Sequence, residues 1–185
     1  MIEAIQLRNE PRRIRTNSQT THRSGSVTLE LIIMLPVWLI AVGAIIQFGL
    51  LIGNRQQVAL AARVGAEEAS RTPGLDLTSG GGLIPENVVA VVRKQLSNSG
   101  IQECKITLEH NLAVGEPVVL SYELDSQWPA TPDPQLSMDE DYVRVTVYVR
   151  STELAPNMLG SFSFDASRWI ISNSTTFRHE RPSIE

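Results

Sequence analysis

The sequence predicts an α+β fold in which a long N-terminal transmembrane helix continues into an exported domain with a second helix and an antiparallel sheet of about four strands. Three observations predict it: one long uncharged apolar run, helical periodicity directly after it, and strand-like alternation confined to the C-terminal half. Helices first and strands afterwards give segregated layers, and the helix leaving the membrane would complete the core of the sheet.

The apolar run, Leu31 to Ile52, is LIIMLPVWLIAVGAIIQFGLLI, with Gln47 as its one strongly polar side chain. At about 1.5 Å per residue it covers the roughly 30 Å hydrocarbon layer of a bilayer. Charge is segregated around it. Residues 1–25 carry Arg8, Arg12, Arg13, Arg15 and Arg23 against Glu3 and Glu10, whereas the rest of the chain holds 11 basic and 18 acidic groups. Short cytoplasmic flanks are enriched in Lys and Arg, so the N-terminus is placed inside and everything after Asn54 outside. So short a basic segment beside an apolar run fits anionic lipid and topology, and nothing else in the sequence suggests a nucleic-acid partner. A secretory signal cut at Ala61 is the competing reading, but the run exceeds the usual 7–15 residues and polar Asn54 to Gln57 separates it from that site.

Where leader meets helix stands Gly25-Ser26-Val27-Thr28-Leu29-Glu30-Leu31, which sets one carboxylate just inside the apolar segment. A charge at the bilayer centre costs on the order of 2.5 kcal/mol or more, and less at the headgroups, where the N-terminal end of a helix favours an acid. Scission after Gly25 would create an α-amino group on Ser26, one helical turn from Glu30, which could neutralise it where the dielectric constant is low. Glycine, lacking Cβ, lets an extended backbone enter a protease cleft.

These residues resemble prepilins of the type IV class, whose leader ends in Gly and whose mature chain carries Glu at the fifth position. Arginine then Gly25, Glu30, a helix interrupted at Pro36, Gln47-Phe48-Gly49 and the C-terminal Ser174-Thr175-Thr176-Phe177-Arg178-His179-Glu180 are most similar to the TadE-like pseudopilins of tight-adherence (Flp) pilus systems. Leu31 stands where major Flp pilins have tyrosine, and the chain is longer than those subunits. The resemblance therefore implies a minor pilin, cut between Gly25 and Ser26 by a prepilin peptidase. It would assemble with other pilin or pseudopilin subunits and inner-membrane assembly proteins of a bacterial inner membrane. The different reading is an uncleaved single-pass sensor or adhesin with Glu30 at the interface.

Pro36 removes a backbone donor inside the run and can kink it. Gly49 and Gly53 match the GxxxG spacing of closely packed membrane helices. The domain division that follows is a leader at 1–25, a transmembrane helix at 26–53 and an exported domain at 54–185.

Beyond the membrane, Val58, Ala61, Ala62, Gly65 and Ala69 recur at helical spacing, with Arg63, Glu67 and Arg71 on another face. Thr72-Pro73-Gly74 ends that helix, and Ser79-Gly80-Gly81-Gly82 reads as a connector, because no Lys-Ser/Thr follows the glycines as a phosphate loop needs. Pro85 to Ser97 reads as a second helix ending before Gly100, with a strand as the alternative that its valines allow. Strands are expected at Gln102 to Glu109, Pro117 to Asp125, Tyr142 to Arg150 and Trp169 to Arg178, the third with four alternating valines. Ser126 to Asp141 reads as a surface loop; its Asp139-Glu140-Asp141 lacks the spacing of a calcium loop.

Cys104, the one cysteine, excludes an internal disulfide framework and a cysteine-rich metal site. His22, His110 and His179 fall in no catalytic or metal motif. The expectation is therefore a non-enzyme with no cofactor, no metal and no small-molecule substrate, whose contacts are lipid and protein.

Overall fold

A computed structural model describes residues 23–75, 82–112, 117–123, 128, 130 and 141–179, with side chains from Val27 onward. The leader as far as His22, most of the 126–141 loop and Glu180 lie outside the described residues. The chain forms two compact units, divided between Leu39 and Ile40. One helix, α1 (Arg23–Arg71), supplies residues to both. In the first unit its bulky apolar side chains, Leu31, Ile32, Leu35 and Trp38 among them, are all exposed. The helix runs unbroken through Pro36.

The second unit is the α+β domain. After α1 come α2 (Glu86–Ser97), β1 (Lys105–His110), β2 (Val118–Tyr122), β3 (Tyr142–Arg150), the single-turn α3 (Ser151–Leu154), a 3-10 turn at Gly160–Phe162 and β4 (Ile170–Arg178). The sheet is antiparallel throughout, in the order β2-β1-β3-β4. Register sets Leu108 opposite Leu120 on one side and Val145 on the other, while Val145 faces Thr175. Residues opposite one another share a face, so Ile106, Leu108, Leu120, Val143, Val145 and Val147 form one apolar surface.

Helices α1 and α2 cover that surface. The stripe anticipated from periodicity, Val58, Ala61, Ala62 and Ala69 with Gly65, is buried in full. Gly65 shows why the stripe is small: a Cβ there would lie 2.4 Å from Val92 of α2 and 3.2 Å from Val145 of β3. Asn87 joins the end of α1 to the start of α2, donating to the Thr72 hydroxyl and to Glu68, each at 2.9 Å. Gly100 adopts φ +77° as α2 terminates, and the Ile101 N–H returns to the Leu96 carbonyl at 3.1 Å.

The strand boundaries refine the sequence reading. β3 falls on the anticipated residues and β4 begins one residue later, while β1 is displaced toward His110. β1 is also buried on both faces. As an inner strand it is covered on its polar face by pairs to its neighbours, Lys105 with Glu123 at 3.1 Å and Glu109 with Arg144 at 3.6 Å.

Candidate functional site

Glu30, placed by α1, is exposed in the first unit. It is the only acidic residue between Arg23 and Ala66, in a segment otherwise apolar from Val27 to Ile52 apart from Thr28 and Gln47. Gly25 and Ser26 belong to the first turn of the helix. The N–H groups of a first turn have no intrahelical acceptor, so opening this peptide bond to an extended form breaks few hydrogen bonds. With both residues helical, Ser26 and Glu30 stand one turn apart on the same side.

In the second unit, Gly49 and Gly53 face open space: a Cβ at either would meet no atom within 4 Å. Among the described residues they make no close helix contact. Ile45 and Ile52 are exposed nearby.

The opposite side of the same stretch is occupied, and the sequence reading did not anticipate by what. The segment after α3, residues 155–169, lies against α1. Gln47 is 4% exposed and its side-chain oxygen accepts the Leu159 N–H at 3.0 Å. Asn54 donates to the Leu154 carbonyl. Phe48 meets Phe164 edge-on at 6.3 Å, and Phe164 meets Trp169 in the same way at 5.7 Å. The segment is tied to itself as well. Ser151 donates its N–H to the Trp169 carbonyl at 2.9 Å and its hydroxyl to Ala166. Asp165 accepts from Asn157 and from the Ser167 N–H, each at 2.9 Å. The Ser167 hydrogen bonds, reinforced by Asn157 and Arg168, hold the Asp165 carboxyl below the usual range. Gln47 thus serves a buried backbone donor. The available sequence signal was its spacing with Gly43, Leu51 and Asn54, one side of a helix carrying small and amide residues amid bulk.

Cys104 is buried, and burial pushes its thiol up to about 11, with Arg93 opposing the shift. It is a protonated, packed group at neutral pH. A groove of about 820 Å³ runs beside it along α2, lined by Leu83, Val89, Arg93, Ile101 and Tyr122. Among the described residues no group of three His, Cys, Asp or Glu is placed to hold a metal ion.

Residues 25–67 match the family of TadE-like proteins. The chain carries a TadE-like segment. The match opens on Gly25, takes in Glu30, Pro36, Gln47, Gly49 and Gly53, and closes within the buried stripe of α1. No curated protein and no solved structure matches the chain. The matched residues lie within α1, the one described helix that is long and apolar enough to cross a membrane.

Proposed function

We propose that this chain is a minor pilin or pseudopilin of a tight-adherence (Flp) pilus or related secretion machine, cut between Gly25 and Ser26 by a prepilin peptidase. The helix from 26 to 53 holds it in the inner membrane with its N-terminus cytoplasmic, and residues 54–185 lie outside. The protein acts by assembly and not by catalysis, through other subunits and inner-membrane assembly proteins. The observation that carries the reading is the TadE-like match beginning at Gly25, five residues ahead of the lone carboxylate of an exposed apolar helix.

In this reading Glu30 has one task, to neutralise the new α-amino group of Ser26, its own or a neighbour's, where lipid and packed helices weaken dielectric screening. Pro36 adapts the helix to a packed bundle, and the open Gly49 and Gly53 face receives an adjacent helix. Release at Ala61 gains no support. Ala61 and Ala62 are both 0% exposed, and scission there would take Val58 and Ala61 out of the core.

The mature N-terminus of protein recovered from membranes tests the proposal: Ser26 is expected, and Met1 would overturn the processing step. Gly25→Ala should leave the full-length chain uncut. Glu30→Gln should insert and be processed, yet fail to enter the assembled structure; unchanged assembly would remove the role given to the carboxylate.

A further inference from the structure

Residues 155–169, together with Ile170 at the start of β4, present an apolar outer surface. Met158, Phe162 (52% exposed), Phe164, Trp169 (45% exposed) and Ile170 all project from it. The same segment carries Asp165, Arg168 and largely irregular backbone; its inner side is hydrogen-bonded to α1 through Gln47, and Asn54 holds the Leu154 carbonyl just before it. A stretch with exposed charges and irregular backbone does not enter the hydrocarbon layer. A set of bulky apolar side chains with an indole among them suits the headgroup boundary, where one end of such groups is apolar and the other wet. Arg55 lines a groove with Ile52, Trp169 and Ile170, which sets a cation beside the apolar surface.

We infer that residues 158–170 are a second, non-spanning membrane contact, seated in the phospholipid headgroup layer beside α1. The occupant is lipid, because the patch is continuous with the apolar surface of α1: Phe48, a residue of the apolar run, leads through Phe164 to Trp169. A consequence follows for the span. Since Gln47 is bonded to Leu159 of this segment, and Asn54 to Leu154 just before it, the outer edge of the hydrocarbon layer falls near Gln47, not at Ile52. About twenty residues, Val27 to Ile46, remain for the crossing, the number a bilayer requires. Gln47 then ends the buried run, and Ile52 lies among headgroups.

The inference rests on α1 spanning the membrane, so the experiment includes a position that tests the span alone. The full-length protein is reconstituted in phosphatidylethanolamine/phosphatidylglycerol vesicles with a spin label at one of four substitutions: Leu35→Cys, Phe162→Cys, Ile52→Cys or Ser174→Cys. Buried Cys104 stays unlabelled. The measured quantity is accessibility to lipid-soluble oxygen relative to a water-soluble nickel complex. The expected order is Leu35→Cys deepest, Phe162→Cys and Ile52→Cys at headgroup depth, and Ser174→Cys in water, with the Phe162→Cys ratio several-fold above that of Ser174→Cys. Leu35→Cys deep with Phe162→Cys as wet as Ser174→Cys would overturn the second contact and leave the span intact. Leu35→Cys in water would overturn both. Phe162→Cys shielded from both reagents would mean a protein covers the patch, and would also overturn the lipid assignment. Met158→Cys repeats the measurement should Phe162→Cys fail to fold.

Discussion

Two stretches of α1 are both apolar and both helical, yet they are built oppositely. From Val27 to Val42 the side chains are large and face outward; Trp38 is 68% exposed. In the stretch from Val58 to Ala69 the inward set is Val58, Ala61, Ala62, Ala66 and Ala69 with Gly65, small side chains that are fully buried. Lipid accepts bulk, since its tails gain as much from Leu as a protein core does. A helix laid on a sheet and against another helix needs closeness, because each missing carbon lets the backbones approach. Side-chain size along α1, more than its hydropathy, separates the part that meets solvent or lipid from the part that meets protein.

Substitutions on the two sides of this divide should separate widely. Leu108→Ala, in the sheet face beneath the small stripe, should destabilise the domain by about 2–5 kcal/mol, whereas Leu35→Ala in the exposed stretch should change unfolding by less than about 0.5 kcal/mol. Urea unfolding in detergent, followed by circular dichroism, measures both; equal losses would break the comparison. Gly65→Ala tests closeness itself. Its methyl must displace Val92 or part α1 from β3, at about 1–3 kcal/mol, although alanine is the better helix former.

Between the stretches lies the Gln47 contact, where a third substitution sharpens the boundary. Gln47→Leu makes the run more apolar but leaves the buried Leu159 N–H without its acceptor, at about 1–2 kcal/mol. Faster hydrogen exchange at Leu159 and Phe162, with slow exchange kept in β1, is the expected signature. The smallest effect belongs to Asp165. Its carboxyl titrates below the usual value, so the support its charge gives the 155–169 segment is complete above the ordinary carboxylate range and is lost as pH falls through the lowered value. Trp169 emission should shift in that acid range, and the shift should vanish in Asp165→Asn.

Much of the sheet was legible because its signals are local. The valines at 143, 145, 147 and 149 alternate without a gap, and β3 lies where they placed it. Its inward set agrees with the burial pattern residue by residue. The helix stripe was legible for the same reason. β1 was harder, since the burial of Lys105 and Glu109 depends on strands at both sides, and those ion pairs join residues far apart in sequence. The 155–169 segment was not legible at all. It has no period, and the bond that fixes it spans 112 positions, from Gln47 to Leu159. At the start of α1, Gly25 and Glu30 stood out by type and spacing, and both fall inside the matched residues 25–67.

The buried stripe of α1 also bears on the order of events at the ribosome. α1 leaves the exit tunnel before any strand exists to receive it, since synthesis runs from the N-terminus. Alanine has the highest helix propensity of any residue, so the 58–69 stretch is biased toward its final shape at once. A surface of Ala and Gly offers little greasy area for stray association in that interval. While it waits for its sheet, the nascent helix exposes only small side chains on most of that face.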